Sequence, residues 1–141
     1  MMMSISEQPR RDDWKTTLRA RFPIAKSAEI ECFRGWQPIL ARMLERLEAT
    51  IPHQPAGFRR GLKVKRMREK FGVLTVYLSK VATPEVQAIV DEAHAAAMVT
   101  CEVCGGPGRM ADRHGWISVK CDAHENWAPA DGFDDGLRRP T

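Results

Sequence analysis

Apolar positions recur along the chain with two different periods, and the alternation between them predicts its elements. Trp14, Leu18 and Phe22 fall four apart and Pro23 follows them, which predicts a short helix over residues 12–22. Residues 24–35 show no period and read as an irregular or extended stretch leading to Gly35. Trp36, Ile39, Leu40, Met43, Leu44, Leu47 and Ile51 then trace one helical face, with Pro38 in the first turn and Pro52 at the end. Residues 53–61, rich in proline and glycine, read as a loop. At Leu62 the period changes to two. Leu62 and Val64 alternate with Lys63 and Lys65, and Val73-Leu74-Thr75-Val76-Tyr77-Leu78 supplies a more buried partner strand. Residues 62–80 are therefore a β-hairpin, with Glu69-Lys70-Phe71-Gly72 placed in its turn. Thr83-Pro84-Glu85 opens a last helix that buries Val86, Ile89, Val90 and Ala93, carries His94 as a structural residue and runs to about Met98.

Beyond that helix the pattern gives way to candidate chemistry. Cys101-Glu102-Val103-Cys104-Gly105 and Cys121-Asp122-Ala123-His124 form a C-x2-C pair and a C-x2-H pair. A two-residue gap lets both side chains of a pair face one ion, and three thiolates with an imidazole suit tetrahedral zinc. One structural Zn2+ is expected on Cys101, Cys104, Cys121 and His124. His124 has better spacing for the fourth position than His114, which sits in the His114-Gly115 turn before the strand Trp116-Ile117-Ser118-Val119-Lys120. Knuckle, hairpin and ligands at a helix start make a treble-clef or zinc-ribbon plan. The fold class is thus α+β: a helix–hairpin–helix core over residues 12–98 and a zinc module over 99–128. A disordered segment is expected at 1–11 and a flexible acidic tail at 129–141.

Four donors saturate the ion and leave no place for a reacting water. The zinc deaminases require H-x-E and P-C-x-x-C, and this chain has His94-Ala95-Ala96 and Val99-Thr100 before Cys101. No P-loop, dinucleotide fingerprint or Gly-x-Ser-x-Gly is present. Cys32 stands alone and reads as a small buried residue. An enzyme is therefore not expected.

Composition adds compartment and charge. No run approaches the roughly 18–20 apolar residues of a membrane span, and the start of the chain lacks a basic leader and an apolar run, so a cytoplasmic protein is expected. There the thiols stay reduced and free to bind metal. The net charge of +4 is uneven. Arg59, Arg60, Lys63, Lys65, Arg66, Arg68 and Lys70 crowd one segment against Glu69 alone, which marks a candidate surface for a negative partner.

Several of these pieces together carry a resemblance. They are Gly35-Trp36-Gln37-Pro38-Ile39-Leu40, Arg68-Glu69-Lys70-Phe71-Gly72-Val73-Leu74-Thr75-Val76-Tyr77, Cys101-Glu102-Val103-Cys104-Gly105-Gly106-Pro107-Gly108, and Trp116 with Cys121 and His124. Over residues 30–124 the chain resembles a family of short, largely uncharacterised bacterial and phage proteins. That family combines a Gly-Trp helix, a Lys-Glu-Lys-Phe-Gly-x-Leu-Arg-x-Tyr segment and a Cys-x2-Cys-Gly knuckle. Arg68 and Thr75 stand where the pattern has lysine and arginine. The resemblance implies a prophage or mobile-element setting, in which small proteins bind and block host machinery.

The function expected on these grounds is a zinc-stabilised binding protein that docks on a host protein or nucleoprotein as inhibitor or adaptor. The alternative is DNA or RNA binding by the 59–70 segment, with Phe71, Tyr77 or Trp116 stacking on bases. A second alternative is a zinc-braced HNH-like nuclease using Asp112 and His114.

Overall fold

The computed structural model describes residues 13–113 and 115–127. The segment 1–11, the tail 129–141 and His114 lie outside the described residues. Within them the chain is mixed α+β, with four helices and two small sheets.

Helix α1 (Asp13–Arg21) buries Trp14 and Leu18, and Phe22 completes the same face just beyond its end, as the spacing predicts. The aperiodic stretch that follows is more ordered than its pattern suggests. It holds a 3-10 turn (Pro23–Ala25), strand β1 (Glu29–Glu31) and a second 3-10 turn (Arg34–Trp36). With one buried residue, Ile30, between two acids, β1 is too short to show a period. Helix α2 (Gln37–Thr50) buries Leu40, Met43, Leu44 and Leu47. The loop expected at 53–61 contains one helical turn, α3 (Ala56–Arg59), because the Pro55 carbonyl accepts the Phe58 and Arg59 N–H groups.

The predicted hairpin forms from β2 (Val64–Lys70) and β3 (Val73–Leu78). Its turn is tighter than expected, since Glu69 and Lys70 remain in β2 and only Phe71 and Gly72 make the corner. Both have positive φ, 53° and 82°, as a two-residue turn that follows strand twist requires. The buried Glu69 carboxylate accepts the Gly72 N–H at 2.6 Å, which explains its place inside the sheet.

Strand β1 adds in parallel to β2, giving the order β1-β2-β3 with Ile30 opposite Met67 and Met67 opposite Val76. This inner face meets α2 and α4 (Pro84–Ala97) in one core cluster that also takes in α1. Thr83 caps α4 by accepting the Val86 N–H at 3.4 Å, and Val86, Ile89, Ala93 and Ala97 are buried. The second sheet is the hairpin β4 (Arg109–Arg113) and β5 (Trp116–Lys120), whose Val119 joins the same core. No helix among the described residues is long and apolar enough to cross a membrane.

Candidate metal centre

The C-x2-C loop is shaped by its glycines. Gly105, at φ 84°, returns its N–H to the Cys101 carbonyl at 2.9 Å, and Gly106 donates to the Cys104 sulfur at 3.4 Å. The loop is then clamped from two sides. The Glu102 N–H bonds the Val119 carbonyl of β5 at 3.0 Å. On the other side the Gly35 N–H bonds the Glu102 carbonyl at 2.8 Å, and the Trp36 indole donates to the Thr100 carbonyl at 2.9 Å. Gly35 sits so close that a Cβ there would lie 2.3 Å from the Cys101 carbonyl oxygen. Space, not φ, demands glycine at this position.

Strand β5 delivers Cys121, after which a 3-10 turn (Asp122–His124) swings the imidazole back over it. All four ligand atoms of Cys101, Cys104, Cys121 and His124 lie within 4.8 Å of one another. Cys104 Sγ is 3.8 Å from Cys121 Sγ, and His124 Nδ1 is 3.2 Å from Cys121 Sγ and 3.8 Å from Cys101 Sγ. With metal–sulfur bonds of about 2.3 Å and metal–nitrogen bonds of about 2.0 Å, tetrahedral edges are about 3.8 Å for two sulfurs and about 3.5 Å for sulfur and nitrogen. The cluster can hold a metal ion, on the four residues that the spacing singles out. Cys32 is fully buried and stands outside the cluster.

The donor set fits a cation electrostatically. Burial pushes the Cys101 thiol up, but backbone hydrogen bonds at Cys104, Cys121 and Val103, with the Cys121 side chain, outweigh it and bring the thiol down to about 6. At Cys104 the Gly106 amide favours the thiolate, yet desolvation and the neighbouring Cys101 and Cys121 sulfurs together raise the group. One thiolate forms readily and further ones repel it, which a divalent ion relieves.

A residue that no spacing rule singles out locks this site to its hairpin. Arg113 is 7% exposed, and its guanidinium donates to the carbonyls of Ser118 at 2.6 Å, Arg109 at 3.2 Å and Lys120 at 3.3 Å. Its Nε lies 3.0 Å from the Glu125 carboxylate, one residue past His124. The Arg113 contact holds the Glu125 carboxyl below the usual carboxylate range, with Arg109 and Lys120 adding to it. Trp127 closes the turn by packing edge-on against Phe33, ring centroids 4.8 Å apart.

Searched against protein-family models, curated proteins and solved structures, the chain finds no match.

The basic segment is distributed rather than gathered. Arg66 and Arg68 meet the acids of β1: Arg66 lies 2.8 Å from Glu29 and 3.4 Å from Glu31, and Arg68 lies 3.7 Å from Glu31. Glu29 and Glu31 raise the Arg66 pKa, and its guanidinium stands 5.9 Å from the Tyr77 ring. Arg59 turns back to the carbonyls of Pro52 and Gln54. Arg60, Lys63, Lys65 and Lys70 remain exposed. Asp112 accepts the Gly115 N–H at 2.8 Å and so caps the β4–β5 turn. An aromatic side chain is exposed at the other turn. Phe71 is 63% exposed at the β2–β3 corner, and the neighbouring Gly72 lies against Met110 and the 38%-exposed Ile117.

Proposed function

We propose that the chain is a zinc-stabilised, non-enzymatic binding protein that docks on another protein through the β2–β3 corner and the part of the β4–β5 hairpin beside it. The zinc, on Cys101, Cys104, Cys121 and His124, has a structural role in a treble-clef-like module of knuckle, hairpin and ligand-bearing turn. Four protein donors complete its shell, so it offers no site to a substrate.

The observation that carries this reading is Phe71. A large apolar side chain is held 63% exposed on a left-handed backbone, a conformation costing a non-glycine residue about 1–2 kcal/mol. Strain kept at an exposed aromatic points to recognition, where a buried aromatic anchor dominates binding energy. Ile117 adds apolar surface beside it and Lys70 a positive rim, so the partner presents an apolar pocket with acidic edges. The resemblance to small phage and bacterial proteins agrees with a host protein as target and with an inhibitor or adaptor role. Against nucleic acid stand the ion pairs of Arg66 and Arg68, which withdraw two cations from phosphate contacts. Against an HNH-like nuclease stands Asp112, engaged in its own turn.

The test combines metal analysis with capture. Purified full-length protein should contain one zinc per chain. A nuclease-treated host lysate should yield a retained protein with the parent chain and not with Phe71→Asn/Ile117→Ser. Retention of nucleic acid instead, weakening steeply with salt and indifferent to that double change, would overturn the proposal.

A further inference from the structure

Far from the metal, at the opposite end of β2 from the Phe71 corner, the chain forms a cavity of about 180 Å³. Its walls include Pro23, Ile24 and Val64, and three lysines, Lys26, Lys63 and Lys65, join them in lining it. Lys26 comes from the turn before β1, 37 and 39 residues from the other two in sequence, so no linear motif reports this cluster. A bulge places Lys65 here: Val64 pairs with Leu78 and Arg66 with Tyr77, leaving Lys65 as the extra residue. Bulges re-aim side chains beside functional sites.

The charge balance is one-sided. Among the described residues no carboxylate pairs with Lys26, Lys63 or Lys65. Glu29 pairs with Arg66 at 2.8 Å, while the Glu48 carboxylate accepts the N–H of Ile24 at 3.1 Å, behind the cavity wall, and keeps its charge there without lining the cavity. No acid lines the cavity. Three lysine side chains around one apolar hollow make its surroundings positive, which favours an anion, and the apolar walls favour a body behind the charge.

We infer that this cavity binds a small organic carboxylate, one anionic group on a compact apolar body, with Lys26, Lys63 and Lys65 holding the carboxylate and Pro23, Ile24 and Val64 enclosing the body. Size agrees, since an apolar cavity of about 150 Å³ is enough for benzene. Inorganic phosphate would leave the walls uncovered, and a neutral isostere would leave the lysines unmatched. The site does not depend on the Phe71 surface and stands or falls apart from it.

The experiment titrates isotope-labelled, metal-loaded full chain with sodium benzoate at constant ionic strength, following backbone amide resonances. Saturable shifts at Ile24, Ser27 and Val64 are expected, with benzamide producing none. Lys63→Gln and Lys65→Gln should each weaken benzoate about 5-fold, the effect of one solvent-facing charge contact. Both lysines are exposed, so the remaining spectrum should be unchanged. Non-saturating shifts, equal shifts with benzamide, equal binding of inorganic phosphate, or unaltered affinity in both lysine variants would each overturn the inference.

Discussion

Gly35→Ala is the most direct probe of how the α+β core holds the Cys/His cluster. An added Cβ would stand 2.3 Å from the Cys101 carbonyl oxygen, 2.4 Å from the Glu102 carbonyl carbon and 2.6 Å from its oxygen. All three are backbone atoms, so no side chain can rotate away and the knuckle must move. Overpacking of this kind costs about 1–3 kcal/mol. Displacement also breaks the Gly35–Glu102 and Trp36–Thr100 hydrogen bonds, worth about 1 kcal/mol each. The sum, about 3–5 kcal/mol, is a large part of the 5–15 kcal/mol that holds a typical domain folded. Thermal unfolding of metal-loaded protein should show Tm lowered by about 10–20 °C. Competition with a chromophoric chelator should show several-fold faster zinc release, because Cys101 travels with its carbonyl. Gly57→Ala is the control: no atom lies within 4 Å of its Cβ position, and alanine suits α3 better. A Gly35→Ala chain that melts and releases metal like the parent, or a Gly57→Ala chain that loses as much, refutes the packing argument.

Other perturbations separate the devices around the Cys/His cluster. Chelation should remove hydrogen-exchange protection from β4, β5 and the 101–108 loop while α2, α4 and the three-stranded sheet keep theirs; uniform loss would mean the metal folds the whole chain. Arg113→Met should cost about 2–4 kcal/mol in denaturant unfolding, since it removes the buried guanidinium that bonds the Ser118 and Lys120 carbonyls and leaves Glu125 only its exposed Arg109 partner. Arg113→Lys should recover less than half of that, lacking the planar fork, and full recovery would reduce the role to charge alone. Phe71→Asn should raise stability by about 0.5–1 kcal/mol, because Asn-Gly suits the turn and the ring is mostly exposed, while abolishing partner capture. A clear loss of stability instead would show that the ring is packed rather than presented.

What the sequence discloses is whatever repeats or pairs locally. The face of Trp14, Leu18 and Phe22, the α2 stripe, the Thr83 cap and the alternation around Val64 all act within a few residues, and each element stands where its pattern places it, except that β2 runs on through Glu69 and Lys70. The same holds for the ligand pairs, since C-x2-C and C-x2-H are short-range geometry. Long-range relations left no such trace. Strand β1 exists because Ile30 can face Met67 and its two acids can meet Arg66 and Arg68, a match between segments more than thirty residues apart. Arg113 reads as a solvated strand cation until the hairpin folds around it. The basic run reads as one free surface because the sequence hides the acids that β1 brings beside its arginines. Its two central arginines are neutralised, while Lys26, from elsewhere, stands beside Lys63 and Lys65.

Position, more than stability, explains why so many devices converge on residues 101–125. A metal and four ligands would fold a knuckle and a short hairpin in any orientation. Gly35 and Trp36 fix the knuckle to the core, the Glu102–Val119 bond fixes β5 to the knuckle, and Arg113 fixes the ligand-bearing turn to both strands. These constraints leave the β4–β5 hairpin one placement, with Ile117 and Met110 against the β2–β3 corner. A methyl at Gly72 would already press on them at 3.2 and 3.3 Å. Two hairpins from different sheets are thereby held together with Phe71 at their outer edge. If the metal served only to stabilise the chain, a simpler route would be to bury Phe71. Keeping it outside, on a left-handed backbone beside Ile117, is what the proposed recognition role would require.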